Sequence, residues 1–367
     1  MLLILTQPLN YTQFMLSNLT GISQTVRKAA FWVTISLIIF MILRFLIGIA
    51  IQIYRASNRP PPAAPDVRFD KLPRPQFPET LKTSEGLKFS LQNIEGKPPE
   101  TTASGNVYYM PKKFSTFESG DLTEKLASRM EFTLKPTIDS VYYYYTDPKD
   151  PLRTLFIDSV HLNFQLRYNY PENPQILKMK KIDSTEKAIS DVRDYLIFNN
   201  LADDSLVNGK ITTNLLRYNE ENKNFEFASS LSSADAVRIN YFRNDLNSLK
   251  IVPDEFDLSY NYAIYSPTPG LNARNIIELS YIFWPIAADE FGSYPLITGA
   301  EAYQALTEGR ATVIDRGRNN ENVTIRNIYH AYYDSSHPQL YLQPIYVFEG
   351  DNDFVAYYPA VVPDWLE

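Results

Sequence analysis

The chain has 367 residues, of which 44% are hydrophobic, 14% aromatic and 21% charged, with a formal net charge of −7 and no cysteine. That composition excludes a collagenous or low-complexity chain, and it excludes disulfides, thiolate metal sites and a cysteine nucleophile. Residues 1 to 54 contribute Arg27, Lys28 and Arg44 and no acid, so the remainder carries −10, a charge that repels a phosphate backbone and argues against a nucleic-acid partner.

Residues 1–28 read as an N-terminal tail. Residues 29–54 form the one long apolar run, AAFWVTISLIIFMILRFLIGIAIQIY. At about 1.5 Å per helical residue it reaches about 39 Å, more than the ~30 Å hydrocarbon core of a bilayer. Its single charge, Arg44, costs roughly 2.5–3.5 kcal/mol near the midplane, which the surrounding Leu, Ile, Phe and Val offset at about 0.3–0.6 kcal/mol each. The run is too long for a signal-peptide core, so it is expected to be a retained transmembrane helix, with Arg44 a candidate contact to a partner helix or intramembrane acid. Basic residues flank both ends. Long downstream domains translocate largely regardless of charge, which leaves the orientation open at this point.

Residues 55–79 contain Pro60, Pro61, Pro62, Pro65, Pro73, Pro75 and Pro78. Proline removes amide donors and favours extended backbone, so this segment reads as a semi-rigid stalk. Beyond it a short helix followed by tyrosine-rich strands recurs approximately three times, giving expected modules at 80–181, an irregular one at 182–296, and one at 297–367. In the first, Leu122, Leu126 and Met130 share a helical face, before strands at Ile138–Thr146, Arg153–Asp158 and Leu162–Tyr170. In the second, Asp183-Ser-Thr-Glu186 precedes a helix with Ala188, Val192 and Leu196 at intervals of four. In the third, Thr298-Gly-Ala-Glu301 is a capping box, Ala302, Ala305 and Leu306 form the apolar face, and Gly309 is placed as a left-handed terminator. Strands at Val323–Tyr333, Leu340–Phe348 and Phe354–Val362 follow. The expected fold is α+β: an N-terminal transmembrane helix, then tandem modules of a short helix packed on an antiparallel sheet.

Catalytic signatures are missing. His161, His330 and His337 are not at metal-ligand spacings, and neither a nucleophile-elbow motif nor a phosphate-binding glycine loop is present. Asp254-Glu255 and Asp289-Glu290 are the carboxylate pairs an acid/base reading would choose, yet adjacent residues usually point apart. No catalytic residue, cofactor or metal is therefore expected. The 26 tyrosines are the unusual feature. In Tyr142-Tyr-Tyr-Tyr145 alternation sends two rings to each face of a strand, and Tyr332, Tyr341 and Tyr357 repeat that arrangement near the C-terminus. Tyr142, Tyr144, Tyr332, Tyr341 and Tyr357 are the candidate recognition surface, since a rigid apolar ring with a polar tip suits protein or glycan partners.

The segments Ser233-Ala-Asp-Ala-Val-Arg-Ile-Asn-Tyr-Phe-Arg243, Tyr281-Ile-Phe-Trp-Pro285, Ala300-Glu-Ala-Tyr303, Ala331-Tyr-Tyr-Asp334, Tyr341 to Gly350 and Phe354 to Ala360 resemble uncharacterised single-pass membrane proteins of candidate-phylum bacteria. More remotely, the last helix and its paired strands look like PepSY-type modules and the YycH/YycI type of membrane-anchored regulators of sensor kinases. The resemblance implies a non-enzymatic extracytoplasmic domain of the bacterial cell envelope that binds or regulates another envelope protein or a wall polymer. The alternatives are a cell-wall hydrolase with carboxylates between modules, or a scaffold subunit of a membrane complex engaged through Arg44.

Overall fold

The computed structural model describes residues 11–57, 64–78, 84–100, 102–178, 181–201, 203–207, 209–267, 275–318 and 321–367. It has two compact units, divided between Ala63 and Ala64.

The N-terminal unit holds one helix, α1 (Tyr11–Ser57), which starts well inside the expected tail and carries an apolar stretch at Val26–Ile51 of mean hydropathy 2.5, long and apolar enough to cross a membrane. Trp32, Arg44 and the aliphatic residues around them are exposed along this stretch. Of the expected stalk, residues 58–63 and Glu79 lie outside the described residues.

The second unit is α+β and, among the described residues, has seventeen strands in two antiparallel-rich sheets. In chain order its elements begin with β1 (Lys88–Leu91), β2 (Ser104–Tyr109), α2 (Ser119–Arg129), β3 (Thr137–Asp139), β4 (Tyr142–Thr146), β5 (Arg153–Asp158) and β6 (Phe164–Tyr168). They continue with α3 (Thr185–Phe198), α4 (Asp204–Val207), β7 (Ile211–Asn219), β8 (Asn224–Phe227), β9 (Ala236–Tyr241), β10 (Ile251–Val252), β11 (Tyr262–Tyr265) and β12 (Ile276–Tyr281). The last are β13 (Phe291–Pro295), α5 (Gly299–Thr307), β14 (Thr312–Asp315), β15 (Asn322–Tyr333), β16 (Tyr341–Gly350) and β17 (Val355–Pro359).

Strands β3 to β9, with β11 and β12, form a nine-stranded sheet in the order β3-β4-β5-β6-β12-β11-β9-β7-β8. Its inner face packs under α2 and α3. Ala188, Val192 and Leu196 meet Leu155, Leu166, Val237 and Ile239 there, and burying each large aliphatic chain contributes about 1.5–3 kcal/mol. Ser184 caps α3 by accepting the Lys187 amide at 3.1 Å. In α2 the buried residues are Ser119, Thr123, Leu126 and Ala127, and Leu122 is exposed, so the apolar face is rotated from the expected one. The run expected as one strand at Ile138–Thr146 is the β3–β4 hairpin, broken at Ser140, whose φ of 57° is left-handed.

The remaining eight strands form the second sheet, with the central order β1-β15-β16-β17-β14, β10 beside β15, and β2 bridging β13 and β16. Here α5 sits on Tyr346, Phe348 and Ala356 through Ala302 and Leu306. The capping box is present: Thr298 Oγ1 accepts the Glu301 amide at 3.2 Å, and the Glu301 carboxylate accepts the Thr298 amide at 2.7 Å. Gly309, at φ +80°, ends the helix as expected.

Strand pairing redraws the module boundaries. β1 and β2, from the segment 80–181, join the C-terminal sheet, where Lys88 stands opposite Asn322 and Tyr108 opposite Leu342. β3 to β6, from the same segment, instead pair through Arg167 and Glu278 with β12. The architecture is thus two interleaved sheets with helices on them, in place of three consecutive modules.

The described part of the stalk, residues 64–78, is no spacer. Asp66 and Ser293 bond reciprocally, the Phe69 amide donates to Tyr294 Oη at 2.8 Å, and Leu72 is fully buried in a parallel bridge to Leu366. Prolines at 73, 75 and 78 keep the rest extended, but apolar side chains between them give the segment a surface to bind, so it lies along the body as a strap.

Candidate functional site

The strap's distal half, Pro73 to Pro78, forms one wall of a groove of about 880 Å3, and the connection between β15 and β16 together with Asp254 forms the opposite wall and floor. One bond holds the strap there directly: Gln343 Nε2 donates to the Pro73 carbonyl at 2.7 Å. Tyr333 Oη also lies 2.9 Å from the Gln76 carbonyl, which competes with Asp254 for its single proton. Phe77 packs edge-on against Tyr333, with centroids 4.9 Å apart, and against Tyr357 at 5.8 Å.

Asp254 is the carboxylate of this site. Its Oδ1 accepts from Tyr333 Oη at 2.6 Å, and its Oδ2 accepts from both the amide of Ser336, at 2.9 Å, and the Ser336 hydroxyl. Burial, reinforced by Asp254, holds the Tyr333 phenol well above its ordinary pKa, so it remains a donor. His337 Nδ1 lies 3.3 Å from Ser336 Oγ at the exposed rim. That order places the serine between acid and imidazole with its proton directed at the acid, the reverse of the acid–histidine–serine relay of a hydrolase.

The five tyrosines divide. Tyr142 and Tyr144 are 42% and 45% exposed and flank Phe156 at 5.5 and 5.3 Å, so three rings stand side by side on the nine-stranded sheet. Tyr341 is half-buried, its ring tilted against Phe69 with centroids 4.9 Å apart, and lines the groove. Tyr332 and Tyr357 are buried and are removed from the candidate surface: the C-terminal sheet is covered on both faces, so alternation there exposes neither ring set. Of the carboxylate pairs, Glu255 is exposed while Asp254 faces the groove, and Asp289 and Glu290 are both exposed before β13. Gln343, Phe77 and Ser336, which build the groove, had no signal in the sequence beyond the prolines nearby. Arg44 is exposed on α1 beside Phe40, Phe45 and Gly48. Among the described residues no group of three His, Cys, Asp or Glu side chains is arranged to hold a metal ion.

Two further polar groups lie on or just after β15, Asp334 buried and His330 half-buried. Asp334, next to Tyr333, forms an ion pair with Arg243 at 2.6 Å and accepts from Tyr260 Oη. Burial outweighs the pull of Arg243 and holds the Asp334 carboxyl above the usual range. His330 lies 4.3 Å from the Tyr346 ring, and burial pushes its pKa down to about 4. With the folded pKa depressed, the native state keeps a neutral imidazole while the unfolded chain takes a proton near 6.5, so stability is full above pH 6.5 and declines from there to about pH 4. A His330→Gln variant is expected to lose that decline, as measured by chemical denaturation across the window. An identical pH slope in variant and parent would refute the assignment.

No protein-family model and no curated protein matches the chain. Among solved structures, an uncharacterised protein from Eubacterium rectale is similar at 11% identity over 75% of this chain and 89% of its own, with a TM-score of 0.35. A likeness that remote carries no functional argument.

Proposed function

We propose that the chain is a membrane-anchored, extracytoplasmic binding or regulatory protein that acts without catalysis and recognises an envelope protein or wall component in the groove beneath its strap. The observation that carries this reading is the groove itself, within the size range of small-ligand sites, with a carboxylate fixed by three donors and aromatic side chains in its wall. A helix long and apolar enough for an anchor, ahead of an α+β body, is also the arrangement expected of the regulators the sequence resembles. The hydrolase alternative is less well supported. Asp254 is the only carboxylate among the described lining residues, whereas glycoside hydrolysis of the usual kind needs a second one about 5 to 9.5 Å away.

A photo-crosslinking residue at the exposed position His337 is expected to capture an envelope partner in cells, and the same residue at exposed Lys149, remote in sequence on the β4–β5 turn, is not. Equal capture from both positions would remove the groove from the proposal. Protease treatment of spheroplasts is expected to digest the body, and full protection would overturn its extracytoplasmic placement.

A further inference from the structure

The segment between β2 and α2 leaves two phenylalanines in water. Residues 111–118 lie outside helix and strand and run between two fixed ends. At one, the amide of buried Met110 donates to the Leu340 carbonyl at 2.8 Å. At the other, buried Ser119 accepts the Thr116 amide on its hydroxyl at 2.9 Å and donates its own amide to the Thr116 carbonyl at 3.1 Å. Phe114 is 75% exposed, and Phe117, in the turn that these bonds close, is fully exposed. Phenylalanine is among the residues most often buried, so two of them in one short, pinned segment need an account. Lys112 and Lys113 precede them, are exposed, and form no ion pair among the described residues. Glu118 is the one acid of the segment. Ile94 and Phe227, exposed elsewhere on the body, instead stand beside Glu95 and Glu226 with no adjacent lysine.

We propose that this segment is a second membrane contact. It docks on the bilayer that α1 crosses, with Phe114 and Phe117 in the boundary between headgroups and acyl chains and Lys112 and Lys113 against anionic lipid phosphates. This rests on the anchor reading of α1 and is independent of the groove. Such a boundary offers apolar depth beneath a negatively charged surface, whereas a neutral apolar surface on a protein would leave the two cations unmatched. The negative charge of the body does not forbid the approach, because at about 0.1 M salt charges more than ~10 Å away are largely screened and the local lysines dominate. Two rings and two cations would hold a free protein on a vesicle only weakly. Here the chain from Ser57 to Ala64 spans at most about 25 Å, so the tether supplies a high effective concentration of surface.

The chain has no cysteine, so Ser115→Cys gives a unique site for a nitroxide label between the two rings of the full-length protein. The test is paramagnetic resonance of that label in nanodiscs, comparing its collisions with oxygen, which concentrates in the bilayer, and with a water-soluble nickel chelate. In discs containing anionic lipid the label at 115 is expected to favour oxygen, and one at Phe227→Cys to favour the chelate. Adding Phe114→Ser and Phe117→Ser, which touch only exposed side chains, should return the label at 115 to water and leave the denaturation midpoint unchanged. Lys112→Gln with Lys113→Gln should lower the docked-to-undocked ratio about fivefold per lysine on anionic discs and leave it unchanged on zwitterionic ones. A parent label that favours the chelate, or that keeps favouring oxygen after both phenylalanines are replaced, overturns the inference, as does indifference to the lysine replacements on anionic discs. Insertion of α1 is read separately from a label at Ile38→Cys. An inserted helix with a water-exposed label at 115 sinks the second contact alone, and a helix that does not insert removes the anchor reading and the inference together.

Discussion

Replacing Arg243 with methionine is expected to destabilise the body by about 3–5 kcal/mol, because it strips the counter-ion from a carboxylate that has no access to water. Asp334 is 2% exposed, and Arg243 reaches it from the end of β9. The guanidinium also donates to the Trp284 carbonyl at 2.6 Å and lies 4.5 Å from the Phe283 ring centroid. The pair thus joins the nine-stranded sheet to the residue that follows β15, directly beside the groove. Burial raises the folded-state pKa of Asp334, so the native state holds that proton more tightly than the unfolded chain does, and the group's contribution is greatest at low pH and declines as pH rises through the raised value. Without Arg243 the charged form is worse still. The loss in Arg243→Met should therefore be largest near neutral pH and shrink on acidification, as the orphaned carboxyl takes up a proton. Adding Asp334→Leu should recover most of the stability, since two apolar side chains can replace a buried pair at little net loss. Urea unfolding followed by tryptophan fluorescence can measure all three proteins. Equal destabilisation of the single and double variants would show that the ion pair is not the cause.

The local elements were more legible in the sequence than their pairing. The capping box at Thr298 and Glu301, the four-residue spacing of Ala188, Val192 and Leu196, and the alternating strand β5 all express short-range periodicity, which the structure retains. Sheet membership does not follow from such patterns. Lys88 pairs with Asn322, and Ser104 with Pro295, and nothing local in KFSL or SGNVYY specifies partners so far away. The groove shares this property: Phe77, Asp254 and Gln343 come from three separated segments, and only Asp254 stood out in the sequence, as half of a pair with Glu255 that the fold splits. Alternation also has a blind side. It correctly put Tyr142 and Tyr144 on one face, but it could not tell that both faces around Tyr332 and Tyr357 would be covered.

The strap permits the sharpest contrast between a tether and a built part of the body. Leu72 is fully buried among Tyr294, Leu366 and neighbouring core residues, its amide donates to the Trp365 carbonyl at 2.9 Å, and its carbonyl accepts the Glu367 amide at 2.9 Å. Leu72→Ala should destabilise the body by about 2–5 kcal/mol, combining lost burial with a cavity that the surrounding rings fill only in part. A proline-rich spacer would tolerate the same change within about 0.5 kcal/mol, the range for surface positions and the range expected for exposed Arg74→Ala. The effect should also reach the groove, since Pro73 follows Leu72 directly and its carbonyl is the acceptor that holds Gln343. A strap loosened at Leu72 should be cleaved sooner by protease between Ala64 and Pro78. Unchanged denaturation midpoints and cleavage rates in Leu72→Ala would return the segment to the role of a spacer. With the predicted losses, residues 64–78 are a wall of the groove, so filling the groove and docking of this segment would stabilise each other by linkage.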